Sequence, residues 1–156
     1  MIYWFTGQPG AGKTVLANKL KELLATEKRN WRKDVFHIDG DSLRELTLNK
    51  DYSEQGRLQN IKNAQIIANY LHHSQCDVVV SVVAPYRLQR EEFKKELGDG
   101  IVEFYVHTKS KRERDHYKVK EYEAPEENFF DVDTTKDNPN QSFNKIIHYL
   151  NENNKL

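Results

Sequence analysis

Eight consecutive residues, Gly7-Gln8-Pro9-Gly10-Ala11-Gly12-Lys13-Thr14, constrain this chain more than any other stretch. They fit the spacing G-x-x-x-x-G-K-[ST]. Glycines let successive backbone N–H groups turn inward on an anion, so Gly7, Gly10, Ala11 and Gly12 are the expected phosphate cradle. Lys13 brings a positive charge to the β- and γ-phosphates, and the Thr14 hydroxyl is a ligand for Mg²⁺. The run before the motif reads as a strand and the residues after it as a helix, whose N-terminal end favours an anion. ATP with Mg²⁺ is the expected cofactor pair. The motif alone does not choose the reaction.

The rest of the chain alternates two patterns. Short runs rich in Val, Ile, Phe and Tyr at Ile2–Thr6, Val35–Ile38, Val78–Val83, Ile101–Val106 and Phe129–Val132 predict strands. Leu16, Leu20, Leu23 and Leu24 recur at helical spacing, as do Leu58, Ile61, Ala64, Ala68 and Leu71, and then Phe143, Ile146, Ile147 and Leu150. The unbroken Val78-Val79-Val80 suits a strand covered on both faces. Strands alternating with helices predict an α/β fold, a five-stranded parallel sheet with helices on both faces in three layers. At 156 residues the chain is expected to be one domain, 1–156. The charged stretch 109–128, with Pro125, reads as a surface loop or short lid. The polar end Asn151–Leu156 is expected to fray.

Composition narrows the class. Lys plus Arg is 24 and Asp plus Glu is 24, so the net charge is 0, which argues against a nucleic-acid coat or a polybasic membrane binder. Lys109, Lys111, Arg112 and Arg114 alternate with Glu113 and Asp115, and this patch is expected to meet ATP phosphates, Arg114 among the cofactor contacts. No apolar run approaches the roughly 20 residues of a membrane span. The single cysteine, Cys76, excludes a disulfide framework and a cysteine-built zinc site. Met1-Ile2-Tyr3-Trp4-Phe5 lacks the basic start of a signal peptide, so a cytoplasmic location is expected. The six histidines show no metal-ligand spacing and read as structural or solvated, His37 within a strand among them.

A guanine-specific switch would need N-K-x-D. Asn49-Lys50-Asp51-Tyr52 has Tyr in the last place, and a small-molecule kinase fits better. Asp39-Gly40-Asp41 at the end of the second strand supports that, because a carboxylate at the C-terminal edge of a parallel strand faces the ligand crevice. There it can hold Mg²⁺ or orient an attacking hydroxyl. A D-G turn with a helix cap from Asp41 or Ser42 is the structural alternative.

Four further motifs stand in a specific order: Asp39-Gly40-Asp41-x-x-Arg44, Arg57-x-x-Asn60-Ile61, Pro85-Tyr86-Arg87 and Tyr122-Glu123-Ala124-Pro125. With the phosphate loop they make the chain, from Ile2 to about Leu150, resemble the adenylylsulfate kinases (APS kinases). The resemblance implies a P-loop fold like that of nucleoside monophosphate kinases. It implies transfer of the γ-phosphoryl of ATP to the 3′-hydroxyl of adenosine 5′-phosphosulfate, giving PAPS and ADP. Asp39 is then the base or Mg²⁺-linked residue, with Lys13 beside it in the chemistry and Thr14 and Asp39 toward the metal. Asp41, Arg44, Arg57, Asn60 and Arg87 fall to the acceptor, adenylylsulfate. A phosphosulfate suits the bidentate fork of Arg, and Arg57 and Asn60, three apart, share a helix face. The family's dimers make a homodimer the implied assembly, with no nucleic-acid or membrane partner.

Two positions depart from the pattern. The family's Ser before Pro-Tyr-Arg is Ala84 here, so no phosphoserine forms and direct in-line transfer remains. The family's long basic lid is also cut short: Arg114-Asp115 is followed almost directly by His116-Tyr117-Lys118-Val119-Lys120-Glu121 and Tyr122. Lys118 and Lys120 are candidate phosphate contacts, and Tyr117 or Tyr52 a candidate stacking face. The shortened lid leaves two alternatives open: a related kinase for another small acceptor, such as a cytidine diphosphate derivative, or an ATP-binding regulator without transfer.

Overall fold

A computed structural model describes residues 1–26, 34–111 and 117–156. The elements are β1 (Ile2–Thr6), α1 (Lys13–Thr26), β2 (Val35–Asp39), α2 (Gly40–Leu46), α3 (Glu54–His73), β3 (Asp77–Ser81), α4 (Arg87–Leu97), β4 (Ile101–His107), β5 (Phe129–Asp133) and α5 (Pro139–Glu152). The five strands form one parallel sheet in the order β2-β3-β1-β4-β5. The chain runs from central β1 out to edge strand β2, returns through β3, then crosses β1 to β4 and β5. The connections therefore diverge on either side of β1. In open α/β sheets the crevice for ligands lies at such a point, beyond the carboxyl ends of the strands.

Side chains alternate across the sheet and build two cores. On one face Tyr3, Phe5, Val79, Phe104 and Val106 pack under Leu16, Leu20 and Leu24 of α1 and Ile146 and Leu150 of α5. On the other, Ile2, Trp4, Val78, Val80 and Ile101 pack under Ile61, Ala64 and Ala68 of α3 and Phe93 of α4. Every residue of β1 and β3 is buried, as the apolar run through Val80 predicts for strands covered on both sides. The expected sandwich and the three expected helices are present.

The structure corrects several boundaries. β3 ends at Ser81, not Val83, because Val82 and Val83 leave the strand to line the crevice. Neither α2 nor α4 shows an apolar period in the sequence, which offers for α2 only the turn and cap at its start. The cap of α2 is neither Asp41 nor Ser42 but Asp39, whose side chain accepts from both of their backbone N–H groups. The end of the chain is anchored. Tyr3 Oη donates to the Lys155 carbonyl at 2.8 Å, and Leu156 packs against the core. Among the described residues, no helix is long and apolar enough to cross a membrane.

Candidate active site

The phosphate loop leaves β1 at Thr6 and enters α1 at Lys13. Gly7, at φ +143°, lies so close to β4 that a Cβ there would meet the Val106 carbonyl oxygen at 2.0 Å. Gly10 and Gly12 also take positive φ, at +81° and +102°, where a side chain is strained. Ala11 is buried, and its carbonyl accepts from Thr134. The loop therefore has its sharp course fixed from several sides. Lys13 Nζ reaches back to the Gln8 carbonyl at 2.9 Å, a resting place from which a bound phosphate would draw it.

Beside this loop is a cavity of about 280 Å³ lined by Gly10, Gly12, Lys13, Thr14, Asp39 and Ser81, among others. Asp39 Oδ2 accepts from Thr14 Oγ1 at 3.1 Å and from Ser81 Oγ at 2.9 Å, while Oδ1 accepts from the N–H groups of Asp41 and Ser42. Partial burial is the largest single influence on this carboxyl and pushes its pKa up. The donors at Ser42, Ser81, Thr14 and Asp41 together outweigh it and hold the group below the ordinary carboxylate value. Asp39 is thus an ionised carboxylate at neutral pH. A hydroxyl and a carboxylate facing one cavity are hard oxygen donors of the kind Mg²⁺ takes together with phosphate oxygens. Among the described residues no cluster of three His, Cys, Asp or Glu side chains could hold a metal ion.

A second cavity, of about 760 Å³, adjoins the first. Gly40, Asp41, Pro9, Val82 and Val83 line both. Its far wall holds Arg44, Tyr52, Arg57, Asn60, Tyr117 and Lys118. The spacing argument for Arg57 and Asn60 is met: both lie on α3 and both face this space. Asn60 is buried, its Nδ2 donates to the Gly40 carbonyl, and its Oδ1 has no hydrogen-bond partner among the described residues. Arg57 donates through Nε to the Tyr52 carbonyl at 2.8 Å, its one hydrogen bond from the side chain among the described residues.

Arg44 is more committed. Its Nη1 donates to the carbonyls of Asn49 and Asp51 and to Asn49 Oδ1, and its guanidinium lies 4.4 Å from the Tyr52 ring centroid. It shapes the loop 47–52 as well as the cavity wall. Ser53 caps α3, and Gly56 in its first turn is required: a Cβ there would meet the Asp51 carbonyl at 2.2 Å. Arg57 and Tyr52 are brought together by this tight entry to the helix.

Arg87 is not brought to the cavity. It opens α4, pairs with Glu126, and its backbone N–H donates to Glu123. Arg114 lies outside the described residues, as do Arg112 and Asp115. Lys120 is exposed and does not line either cavity. Tyr117 and Tyr52, both mostly exposed, do line the larger one. Three residues at the site escaped the sequence reading: Gln8, Ser81 and His37. His37 and Ser81 carry a signal in retrospect. Each lies on the same face as Asp39, one by the two-residue repeat of a strand and the other by strand pairing.

Comparison with known proteins agrees with this geometry. The family model described as adenylylsulphate kinase matches residues 1–142. The adenylyl-sulfate kinase of Pseudomonas aeruginosa is 28% identical over 172 residues, covering 97% of this chain and 86% of that protein. The structure of the hexameric APS kinase of Thiobacillus denitrificans superposes with a TM-score of 0.80 at 25% identity, over 99% of this chain and 29% of that one. The Mycobacterium tuberculosis APS kinase in complex with AMPPNP and APS shares the fold, with a TM-score of 0.77 at 19% identity over 96% of each chain. With a phosphate loop, an adjoining cavity lined by Arg57 and Asn60, and this match over most of its length, the chain belongs to the adenylylsulphate kinase family.

Proposed function

We propose that this protein transfers the γ-phosphoryl group of ATP to the 3′-hydroxyl of adenosine 5′-phosphosulfate, releasing ADP and PAPS. The observation that carries the reading is the pair of adjoining cavities, one on the phosphate loop with Asp39 in its wall and one walled by Arg57 and Asn60, with Asp41 lining both. A protein that only bound ATP would have no need of the second.

The chemistry follows from where the groups sit. Lys13 and the N-terminal end of α1 face the phosphates and stabilise the charge that gathers on the transferred group. Thr14 and Asp39 would hold Mg²⁺, which supplies neutralisation of the phosphate oxygens. The acceptor hydroxyl attacks phosphorus in line; its new P–O bond forms as the bond to the ADP oxygen breaks, and its proton passes to the Asp39 carboxylate or to solvent. Asp39 is a weak base because its pKa lies below the ordinary value. That suits a loose transition state, in which the hydroxyl keeps its proton until late and needs orientation more than deprotonation. Arg57 and Arg44 supply charge for the phosphosulfate, Asn60 Oδ1 and Asp41 supply hydrogen-bond acceptors, and Tyr52 or Tyr117 a face for the base. Ala84 carries no hydroxyl, so the phosphoryl group moves directly between the substrates.

Tyr117, Lys118 and Val119 form part of the wall of the acceptor side, where the sequence has only a shortened lid. A cytoplasmic location, on the single cysteine and the N-terminal sequence, and a homodimeric assembly, on the family resemblance, complete the proposal. An acceptor panel tests the reading. Adenylylsulfate is expected to give the highest kcat/KM, above AMP and a cytidine diphosphate derivative; a better rate with either of those would reassign the acceptor.

A further inference from the structure

Behind Asp39 lies a line of hydrogen bonds that the proposed reaction has not yet used. Asp39 stands opposite Ser81 in the parallel pairing of β2 and β3, and His37 precedes Asp39 by two residues. All three side chains therefore leave the same face of the sheet. Ser81 Oγ lies 2.9 Å from Asp39 Oδ2, and His37 Nε2 lies 2.9 Å from Ser81 Oγ. Ser81 is buried.

The direction of each bond follows from counting hydrogens. An ionised carboxylate only accepts, and a serine hydroxyl has one hydrogen to give. That hydrogen goes to Asp39, so the contact with His37 must run the other way, with Nε2–H donating to the Ser81 oxygen. We infer that His37 and Ser81 are positioning residues for phosphoryl transfer: His37 locks the rotation of the Ser81 hydroxyl, and Ser81 in turn fixes the reactive edge of the Asp39 carboxylate.

This matters because the other hydroxyl on Oδ2 belongs to Thr14. Thr14 is the residue that turns to a nucleotide-bound cation in the proposed function. Once it does, Ser81 is the remaining side-chain donor on Oδ2 among the described residues. Oδ1 stays held by the amides that open α2. Without Ser81 the carboxylate keeps one anchored oxygen and loses aim at the other, and small losses of aim are costly to a positioned reaction. The inference rests on the proposed role of Asp39.

The test uses steady-state kinetics of the full chain with MgATP and adenylylsulfate, on variants shown by thermal melting to be folded. Ser81→Ala is expected to lower kcat by about 10- to 100-fold while KM for ATP moves by less than about threefold, as for a group acting on the reaction step. His37→Leu is expected to lower kcat in the same direction, and His37→Gln, which keeps a donor nitrogen, to recover most of the loss. In the Ser81→Ala background, His37→Leu should add nothing, since its effect passes through the missing hydroxyl.

Two results would overturn the relay. One is a Ser81→Ala kcat equal to wild type while Asp39→Ala abolishes transfer, which leaves the Asp39 role standing. The other is a His37→Leu loss that persists undiminished without Ser81. Full transfer by Asp39→Ala would instead remove the Asp39 role itself. If His37→Leu fails to melt cooperatively, Ser81→Ala and His37→Gln decide: a lowered kcat in the first and a near-normal one in the second support the relay, and the reverse order defeats it.

Discussion

Gln8 holds Val119 by both ends of its side-chain amide. Nε2 donates to the Val119 carbonyl at 2.8 Å, and Oε1 accepts from the Val119 N–H at 2.9 Å. One residue of the phosphate loop thereby fixes the wall of the acceptor cavity, 111 positions away in sequence. Two neighbours reinforce the tie: Tyr122 Oη lies 3.1 Å from Thr6 Oγ1, and the Glu123 N–H donates to the Pro85 carbonyl.

Gln8→Leu removes both bonds and takes the partner of the buried Val119 N–H, while the Val119 carbonyl keeps the Tyr122 N–H at 3.3 Å; an unsatisfied buried donor costs about 1–3 kcal/mol. The variant is expected to raise KM for adenylylsulfate by about tenfold and to raise KM for ATP less, a split that marks lost ground-state positioning. Steady-state kinetics with each substrate varied in turn checks it.

Arg57 is expected to show the opposite selectivity from Lys13. Charge-assisted hydrogen bonds are worth about 1.5–3 kcal/mol. Arg57→Ala should therefore raise KM for adenylylsulfate by about 10- to 100-fold with KM for ATP nearly unchanged, because Arg57 lines only the acceptor cavity. Equal effects on both substrates would move Arg57 out of the acceptor site.

Much of this was legible in the sequence, and the gaps have physical causes. β1 and β3 announced themselves because apolar runs buried on both faces need no alternation to be read, whereas the edge strands β2 and β5, only partly buried, were legible as short runs rich in β-formers. α4 did not announce itself, because its core-facing positions include Arg90, a charged residue 2% exposed, while Leu88 points outward at 70%. A period of apolar residues cannot show where a buried ion pair replaces one of them. α2 buries only Leu43 and leaves Leu46 in solvent. Arg57 and Asn60 could be paired by spacing alone, whereas Gln8 with Val119, and Ser81 with His37, meet through the sheet topology, which no local window contains.

That buried pair has its own consequence. Arg90 Nε lies 2.9 Å from Glu103 Oε1, with Lys94 on the other oxygen, and Arg90 also donates to the carbonyls of Ala84 and Glu123. It thus holds the strained Ala84, at φ +42°, against the acceptor cavity. Removing one partner of a buried pair costs about 3–5 kcal/mol. Arg90→Met is expected to lose stability of that order in urea unfolding, with acceptor binding weakened as well.

Asp51 gives the entry to α3 a pH dependence. Hydrogen bonds from the Ser53 side chain and backbone hold its carboxyl below the ordinary 3.8. A depressed folded pKa means the contribution is fully present above the ordinary value and is lost as pH falls through the folded one. Asp51→Asn is therefore expected to melt below wild type near neutral pH, with the gap closing as pH drops below about 4. A gap constant across that range would remove Asp51 from the acid response.

The most direct measurement is product analysis. The protein is incubated with MgATP and adenylylsulfate, and PAPS and ADP are separated by anion exchange, with Lys13→Ala alongside. Equal amounts of PAPS and ADP, both vanishing in Lys13→Ala, are the expected result. ADP without PAPS, or PAPS undiminished in Lys13→Ala, would contradict transfer between the two cavities.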